Sequence, residues 1–138
     1  MKPLISAIVA TLILACDPRR VVRTIVHSDR ISDECIGKTF EGNPRWRLQR
    51  DPEASFSVYS RNGRVFGFNL WRNSIQSHEV LQIETALITG KPDESHVLRE
   101  IESAERAVAV EIATMCAPAA TFSCWDSKSQ AESARCFP

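Results

Sequence analysis

The start of the chain, an apolar run that ends in a cysteine, decides which residues are left to fold. The eleven residues 4–14 are apolar apart from one serine and one threonine; they follow a lysine and precede Ala15 and Cys16. A positive start, a short apolar run and a small residue before the cut are the parts of a secretory signal. As a helix the run would be about 16 Å long, well short of a hydrocarbon core of roughly 30 Å. We therefore expect residues 1–15 to be removed and residues 16–138 to fold outside the cytoplasm.

The end of this segment resembles a known class of proteins. Residues 12–16 read Leu-Ile-Leu-Ala-Cys, which resembles the lipobox of bacterial lipoproteins, although Leu14 stands where that class more often has a smaller residue. The resemblance implies that Cys16 carries diacylglycerol, that the signal is cut before it, and that acyl chains hold the protein at a membrane. Asp17 resembles the inner-membrane retention signal of enteric-type Gram-negative bacteria. The resemblance covers these residues alone and gives residues 17–138 no family.

The residues directly after the cysteine allow two interpretations. Arg19, Arg20 and Arg23 are within reach of anionic lipid headgroups, where each basic residue is worth roughly 1 kcal/mol. The same stretch contains the β-branched Val21, Val22, Ile25 and Val26, so residues 16–28 are either a solvated tether or the first strand. Residues 29–138 are long enough for a single domain with one core.

Four cysteines remain besides the one expected to carry lipid: Cys35, Cys116, Cys124 and Cys136. An even number in an exported chain predicts two disulfides, and three connectivities are possible. We favour Cys35–Cys116 with Cys124–Cys136, because the first joins the N-terminal half to a predicted helix and the second closes a short loop. The spacing lacks the tight pairs of a zinc site, so we expect no metal and no cofactor.

A hairpin is the clearest β element. Runs rich in β-formers at 55–60 and 64–72 flank an Arg-Asn-Gly segment. A two-residue Asn-Gly turn would place two arginines opposite each other, whereas a three-residue loop with Gly63 in the left-handed conformation pairs Ser60 with Arg64. The three-residue loop also collects the apolar residues on one face. These are Phe56, Val58, Phe66, Phe68 and Leu70.

One long helix is predicted over 94–116, where apolar residues recur at spacings of three and four and Pro118 follows. The apolar stripe comprises Val97, Leu98, Ile101, Ala104, Val108, Ile112 and Met115. The acidic residues between 94 and 111 are spaced like the solvated face of that helix. They are not spaced like a convergent carboxylate pair.

Weaker patterns complete the fold prediction. Residues 44–50 favour a strand, residues 80–88 a strand or nearly as well a helix, and residues 28–37 one helical turn around a cysteine. Asp126 or Ser127 would cap a short tail helix that carries the last cysteine. The sequence thus predicts a disulfide-stapled α+β fold, in which one long C-terminal amphipathic helix packs on a small antiparallel β-meander.

No catalytic or cofactor motif is present, and the three histidines, His27, His78 and His96, stand apart in the sequence. The formal net charge of zero gives no reason to expect a nucleic-acid partner. Tryptophan beside arginine is typical of protein-binding hot spots. The candidate partner-binding residues are Trp46, Trp71, Arg45, Arg47 and Arg72.

Two functions remain open on this basis. The first is a non-catalytic binding or structural module, anchored on the periplasmic side of a membrane and acting on an envelope protein, either as an inhibitor or immunity protein or as a subunit of a complex. The second is a small periplasmic enzyme or ligand carrier whose residues converge only in space. A filled core with a flat surface of tryptophan and arginine would favour the module, and a deep pocket lined by His78, His96 or glutamates would favour the second.

Overall fold

A computed structural model describes residues 19–61, 67–128 and 131–133. Outside the described residues lie the predicted signal peptide, Cys16, residues 62–66 with Gly63 and Phe66 of the predicted hairpin, and Cys136. The strands are β1 (Arg19–His27), β2 (Trp46–Arg50), β3 (Phe56–Ser60), β4 (Gly67–Ile75), β5 (His78–Ile88), β6 (Thr121–Asp126) and β7 (Ala131–Ser133), and the helices are α1 (Asp33–Phe40) and α2 (Glu94–Cys116). The fold is α+β.

The described strands form one antiparallel sheet in the order β2-β3-β4-β5-β1-β6-β7. Strands β2 to β5 are the predicted meander, and β5 is a strand over its whole length, so the helical alternative for residues 80–88 is wrong. Strand β1 lies between β5 and β6, where β-branched residues are favoured. Residues 19–27 therefore form a strand, as one of the two interpretations predicted, and not a solvated tether.

The β3–β4 hairpin keeps the predicted apolar face but not the predicted register. Val58 pairs with Phe68 and Tyr59 with Gly67, two residues away from the pairing that a three-residue loop would give. Side chains alternate between faces with a period of two, so a shift of two changes the partners and leaves the faces unchanged. Phe56, Val58, Phe68 and Leu70 accordingly remain together in the core.

The turn between β4 and β5 was not predicted and is conformationally unusual. Ile75 pairs with His78, which leaves Gln76 and Ser77 as a two-residue turn with φ angles of 50° and 66°. Both residues are in the left-handed region, which costs a residue with a side chain roughly 1–2 kcal/mol. Asn-Gly is the sequence that such a turn favours.

We expect the double substitution Gln76→Asn with Ser77→Gly to raise the free energy of unfolding by about 1 kcal/mol, because it relieves the left-handed backbone. Urea denaturation monitored by tryptophan fluorescence measures the change. As a control, Ser74→Gly places a glycine in the adjoining strand and should lower stability by roughly 0.5–1 kcal/mol. A double variant no more stable than the parent would contradict the assignment of strain to this turn.

Both helices pack on the same face of the sheet. Helix α1 has eight residues, longer than the single turn predicted, and the side chain of its N-cap Ser32 accepts a hydrogen bond from the backbone of Cys35 at 3.1 Å. Its buried residues Ile36 and Phe40 join the core. Helix α2 has the predicted bounds, but two strands follow it along the chain.

The predicted apolar stripe of α2 is confirmed in the centre of the helix, but the prediction is wrong for its last turn. Ile101, Val108 and Ile112 are buried in the core, whereas the Met115 side chain is 59% exposed. At this end of the helix the contacts with the rest of the fold include Cys116, which is bonded to Cys35 of α1, and the buried Ala117. One acidic residue that was placed on the solvated face, Glu105, is instead 1% exposed.

The predicted tail helix is absent from the described residues. Asp126 ends strand β6, and Ser127 donates a backbone hydrogen bond to Val21. Pairing with β1 gives hydrogen bonds to backbone N–H and C=O groups, which would lack partners at the ends of a short helix. The carboxylate of Asp126 binds Arg20 on β1, and it accepts a 2.9 Å hydrogen bond from the backbone N–H of Lys128 in the turn that follows β6.

The disulfide Cys35–Cys116 is confirmed, with its two Cα atoms 5.8 Å apart. It joins α1 to the last residue of α2, as the predicted link between the N-terminal half and the long helix requires. Cys124 is also disulfide-bonded. Its proposed partner, Cys136, lies outside the described residues.

Candidate functional site

The face of the sheet opposite the helices is built from polar and aromatic side chains. Strand pairing aligns two rows of residues across β4, β5, β1 and β6, and the rows are two residues apart along each strand. The rows are Trp71, Gln82, Ile25 and Ser123, then Asn69, Glu84, Arg23 and Trp125. The guanidinium of Arg23 lies 4.5 Å from the ring centre of Trp125 and forms an ion pair with Glu84.

A cleft of about 660 Å³ opens where this face ends. Three segments line it: residues 27–29 after β1, the β4–β5 turn with residues 75, 76, 78 and 79, and residues 121–123 at the start of β6. Because these segments meet where β1 ends, the cleft is at the opposite end of the sheet from Arg19. We call it the distal cleft.

A histidine–serine pair lies in the wall of the distal cleft. Nε2 of His27 is 2.7 Å from Oγ of Ser123. The two residues share one sheet face on neighbouring strands, so the register itself brings them together. His27 is isolated in the sequence, because its partner is 96 positions away and only the strand pairing of β1 with β6 joins them.

The charge of the distal cleft is acidic. Asp29 and Glu79 line it, both are exposed, and no lysine or arginine is among its lining residues. Neither carboxylate makes an ion pair or hydrogen bond through its side chain to another described residue. His78, which precedes Glu79, also lines the cleft, whereas His96 lies elsewhere and pairs with Glu100 at 3.0 Å.

The five candidate partner-binding residues do not form one patch. Trp46 is buried and packs edge-to-face on Phe68, while the exposed Arg45 stacks against it with 5.7 Å between guanidinium and ring centre. The opposite face of the sheet holds Trp71 and Arg47.

Arg72, the fifth of these residues, is held within the protein. Its side chain donates a 2.6 Å hydrogen bond to the backbone oxygen of Ile31 and also binds Asp33. A role of these five residues in partner binding stays a prediction.

The end of the sheet near Arg19 contains internal ion pairs. Arg20 binds Asp126 through Nε at 2.9 Å and approaches Glu94 at 3.5 Å. Hydrogen bonding to Arg20 lowers the pKa of Asp126, and the same contact raises the pKa of Arg20. Of the three arginines expected near lipid headgroups, Arg20 and Arg23 are therefore engaged within the protein.

A carboxyl group is buried between α2 and the sheet. Oε2 of Glu105 accepts a 3.0 Å hydrogen bond from Thr24 on β1. Burial raises the pKa of Glu105 well above its ordinary value, an effect that the hydroxyls of Thr85 and Thr24 oppose and the charges of Glu102 and Glu84 reinforce.

The other oxygen of this carboxyl group is buried beside a threonine hydroxyl, which can donate to a carboxylate or accept from a neutral carboxyl group. Oε1 of Glu105 and Oγ1 of Thr85 lack a hydrogen-bond partner of regular geometry among the described residues. Ile101, four residues earlier, and Val108, three residues later, were the available signal, since their spacing places Glu105 within the buried stripe.

No group of three or more histidine, cysteine, aspartate or glutamate side chains among the described residues is placed to hold a metal ion. None of the described helices has the length and apolar character needed to cross a membrane.

Comparison with protein-family models, with curated proteins and with solved structures finds no match to this chain. Function is therefore inferred from the geometry of the chain itself, because a fold class alone does not define an activity.

Proposed function

We propose that the chain is a lipid-anchored envelope module that binds a partner protein through the end of the sheet that lies away from the membrane. The observation that carries this proposal is the position of β1. The strand begins three residues after Cys16 and ends at the distal cleft. A lipid on Cys16 would thus hold one end of the sheet at the membrane, and the distal cleft would lie at the other end.

Chain geometry sets the distances. Three residues span at most about 11 Å, so an anchor on Cys16 would keep Arg19 close to the headgroups. Strand β1 has nine residues and carries the chain about 26 Å further. The distal cleft would then face outward, toward proteins of the envelope and not toward lipid.

Cysteine usage supports an oxidising compartment for this module. Cys35 and Cys116 are bonded, and Cys124 is in a disulfide as well. Disulfides persist in exported domains and are rare in the cytosol. A periplasmic location of a lipoprotein is consistent with this chemistry.

Photocrosslinking in the native host tests the proposal. Benzoylphenylalanine is placed at Thr121, exposed in the distal cleft, and in a matched strain at Lys91, exposed near the other end. We expect Thr121 to form an adduct with a protein and Lys91 to form adducts with lipid only. Protein adducts from Lys91 with none from Thr121 would contradict the proposed orientation and the proposed binding end.

The second candidate function, a small envelope enzyme, is favoured by one observation, the hydrogen bond between His27 and Ser123. A histidine base that takes the hydroxyl proton while Oγ attacks an acyl carbon is the usual activation of such a nucleophile. A fluorophosphonate probe separates the two functions, with Ser123→Ala as the control. Labelling of Ser123 would favour the enzyme, and we expect no labelling of the binding module.

A further inference from the structure

We infer that residues 94–105, the first half of helix α2, separate from the sheet when the carboxyl group of Glu105 loses its proton and pack on the sheet while that proton is bound. Such a change is independent of the proposed partner binding, because it needs only the described fold. Its basis is the uneven attachment of the helix, together with the position of a buried carboxyl group at the boundary between the two halves.

Helix α2 is attached to the rest of the fold more firmly in its second half than in its first. Four of its residues from 108 to 113 are buried, and its last residue, Cys116, is bonded to Cys35 of α1. Among residues 94–104 only Ile101 is buried, and the N-cap Asp93 makes no side-chain hydrogen bond to the helix. The helix can therefore open from its start while its end stays in place.

Glu105 lies where the firmly attached half begins. Its side chain is buried, Oε2 accepts a hydrogen bond from Thr24 on β1, and Oε1 has no partner of regular geometry among the described residues. Burial raises the pKa of Glu105, and the acidic charges of Glu102 on α2 and Glu84 on β5 act in the same direction, against the hydroxyls of Thr85 and Thr24. The neutral carboxyl group therefore suits the closed helix better than the carboxylate does.

The basic side chain on this face of β1 is already engaged. Arg20 binds Asp126 of β6 at 2.9 Å and approaches Glu94 at 3.5 Å, at the start of the helix. Its charge is thus balanced at the other end of the first half of α2. An ionised Glu105 would gain more from water than from the groups that surround it in the closed fold.

The surface that opening would expose follows from two contacts between the helix and β1. Glu94 reaches Arg20 and Glu105 reaches Thr24, so the first half of α2 runs along this part of the strand. Val22 lies between these two residues on the same face and is 3% exposed. Separation of residues 94–105 would carry Glu105 into water and uncover Val22, while residues 108–113 remain packed.

Hydrogen exchange of the disulfide-bonded chain over a series of pH values tests the inference. We expect the amides of residues 98–105 to exchange through an opening that leaves the amides of residues 110–115 protected. After correction for the intrinsic exchange rate, protection of residues 98–105 should fall by up to about tenfold per pH unit once Glu105 begins to ionise. Urea at low concentration should change this exchange little, because a local opening exposes little surface.

Two glutamine variants identify the group that is responsible. Glu105→Gln keeps the shape of the neutral carboxyl group and cannot ionise, so protection of residues 98–105 should no longer fall with pH. Glu102→Gln leaves the buried carboxyl group in place and should retain the fall.

Two results would overturn the inference. The first is exchange of residues 98–105 in the parent at the same protection as residues 110–115, because the helix would then open only as a whole. The second is a fall of protection with pH that persists in Glu105→Gln, because another group would then control the opening.

Discussion

Replacing both Cys35 and Cys116 by alanine is expected to lower the free energy of unfolding by about 4 kcal/mol. The disulfide joins residues 81 positions apart, and closing a loop of that length restricts the unfolded chain by roughly 4.5 kcal/mol in the loop-entropy model. Loss of this link also frees α1 from the end of α2. Guanidinium denaturation under non-reducing conditions measures the difference.

Thr39→Ala is the matched control for this experiment. Oγ1 of Thr39 lies 3.5 Å from the Cys116 sulfur and also donates to the backbone oxygen of Cys35. Its removal disturbs the same contact without opening the loop and should cost about 1 kcal/mol. A cysteine variant that loses no more than this control would contradict a stabilising role for the bond.

Replacing Glu105 by glutamine is expected to remove a decline of stability with pH. The folded-state pKa of Glu105 is raised by burial, so the folded protein keeps a proton that the unfolded chain has lost. Its stabilising contribution is complete below the unfolded pKa and is lost as the pH rises through the folded pKa. Between these limits the slope is up to about 1.4 kcal/mol per pH unit.

The measurement is the free energy of unfolding of parent and variant from pH 4 upward in steps. Glutamine keeps the shape of the neutral acid and cannot ionise, so the parent should lose stability relative to Glu105→Gln as the pH rises. Glu102→Gln, one turn earlier on α2 and partly exposed, is the control and should follow the parent. Parallel curves for parent and Glu105→Gln would show that Glu105 ionises freely.

Local patterns predicted the elements that depend on local interactions. Helix α2 has its predicted bounds because a strong three-and-four periodicity and a following proline act within a few residues. The β3–β4 hairpin has its predicted apolar face for the same reason. Its register differs by two residues, because both registers place the same described apolar side chains on the core face.

Long-range pairing was beyond these patterns. Nothing near β1 in sequence indicates that it pairs with both β5 and β6, and the strand assignment of residues 121–126 depends on that pairing. The distal cleft combines three segments that only this topology joins. His78 and Glu79 are adjacent in sequence, but His27 and Ser123, which line the same cleft, come from distant strands.

The central claim, an exported module held by lipid on Cys16 and stapled by disulfides, is tested most directly by the intact mass of the native protein extracted from membranes. The mass is measured with alkylation before and after reduction. We predict a chain that begins at Cys16, carries acyl mass and gains four alkyl groups only after reduction. An unlipidated chain, or one whose cysteines alkylate without reduction, would contradict the account.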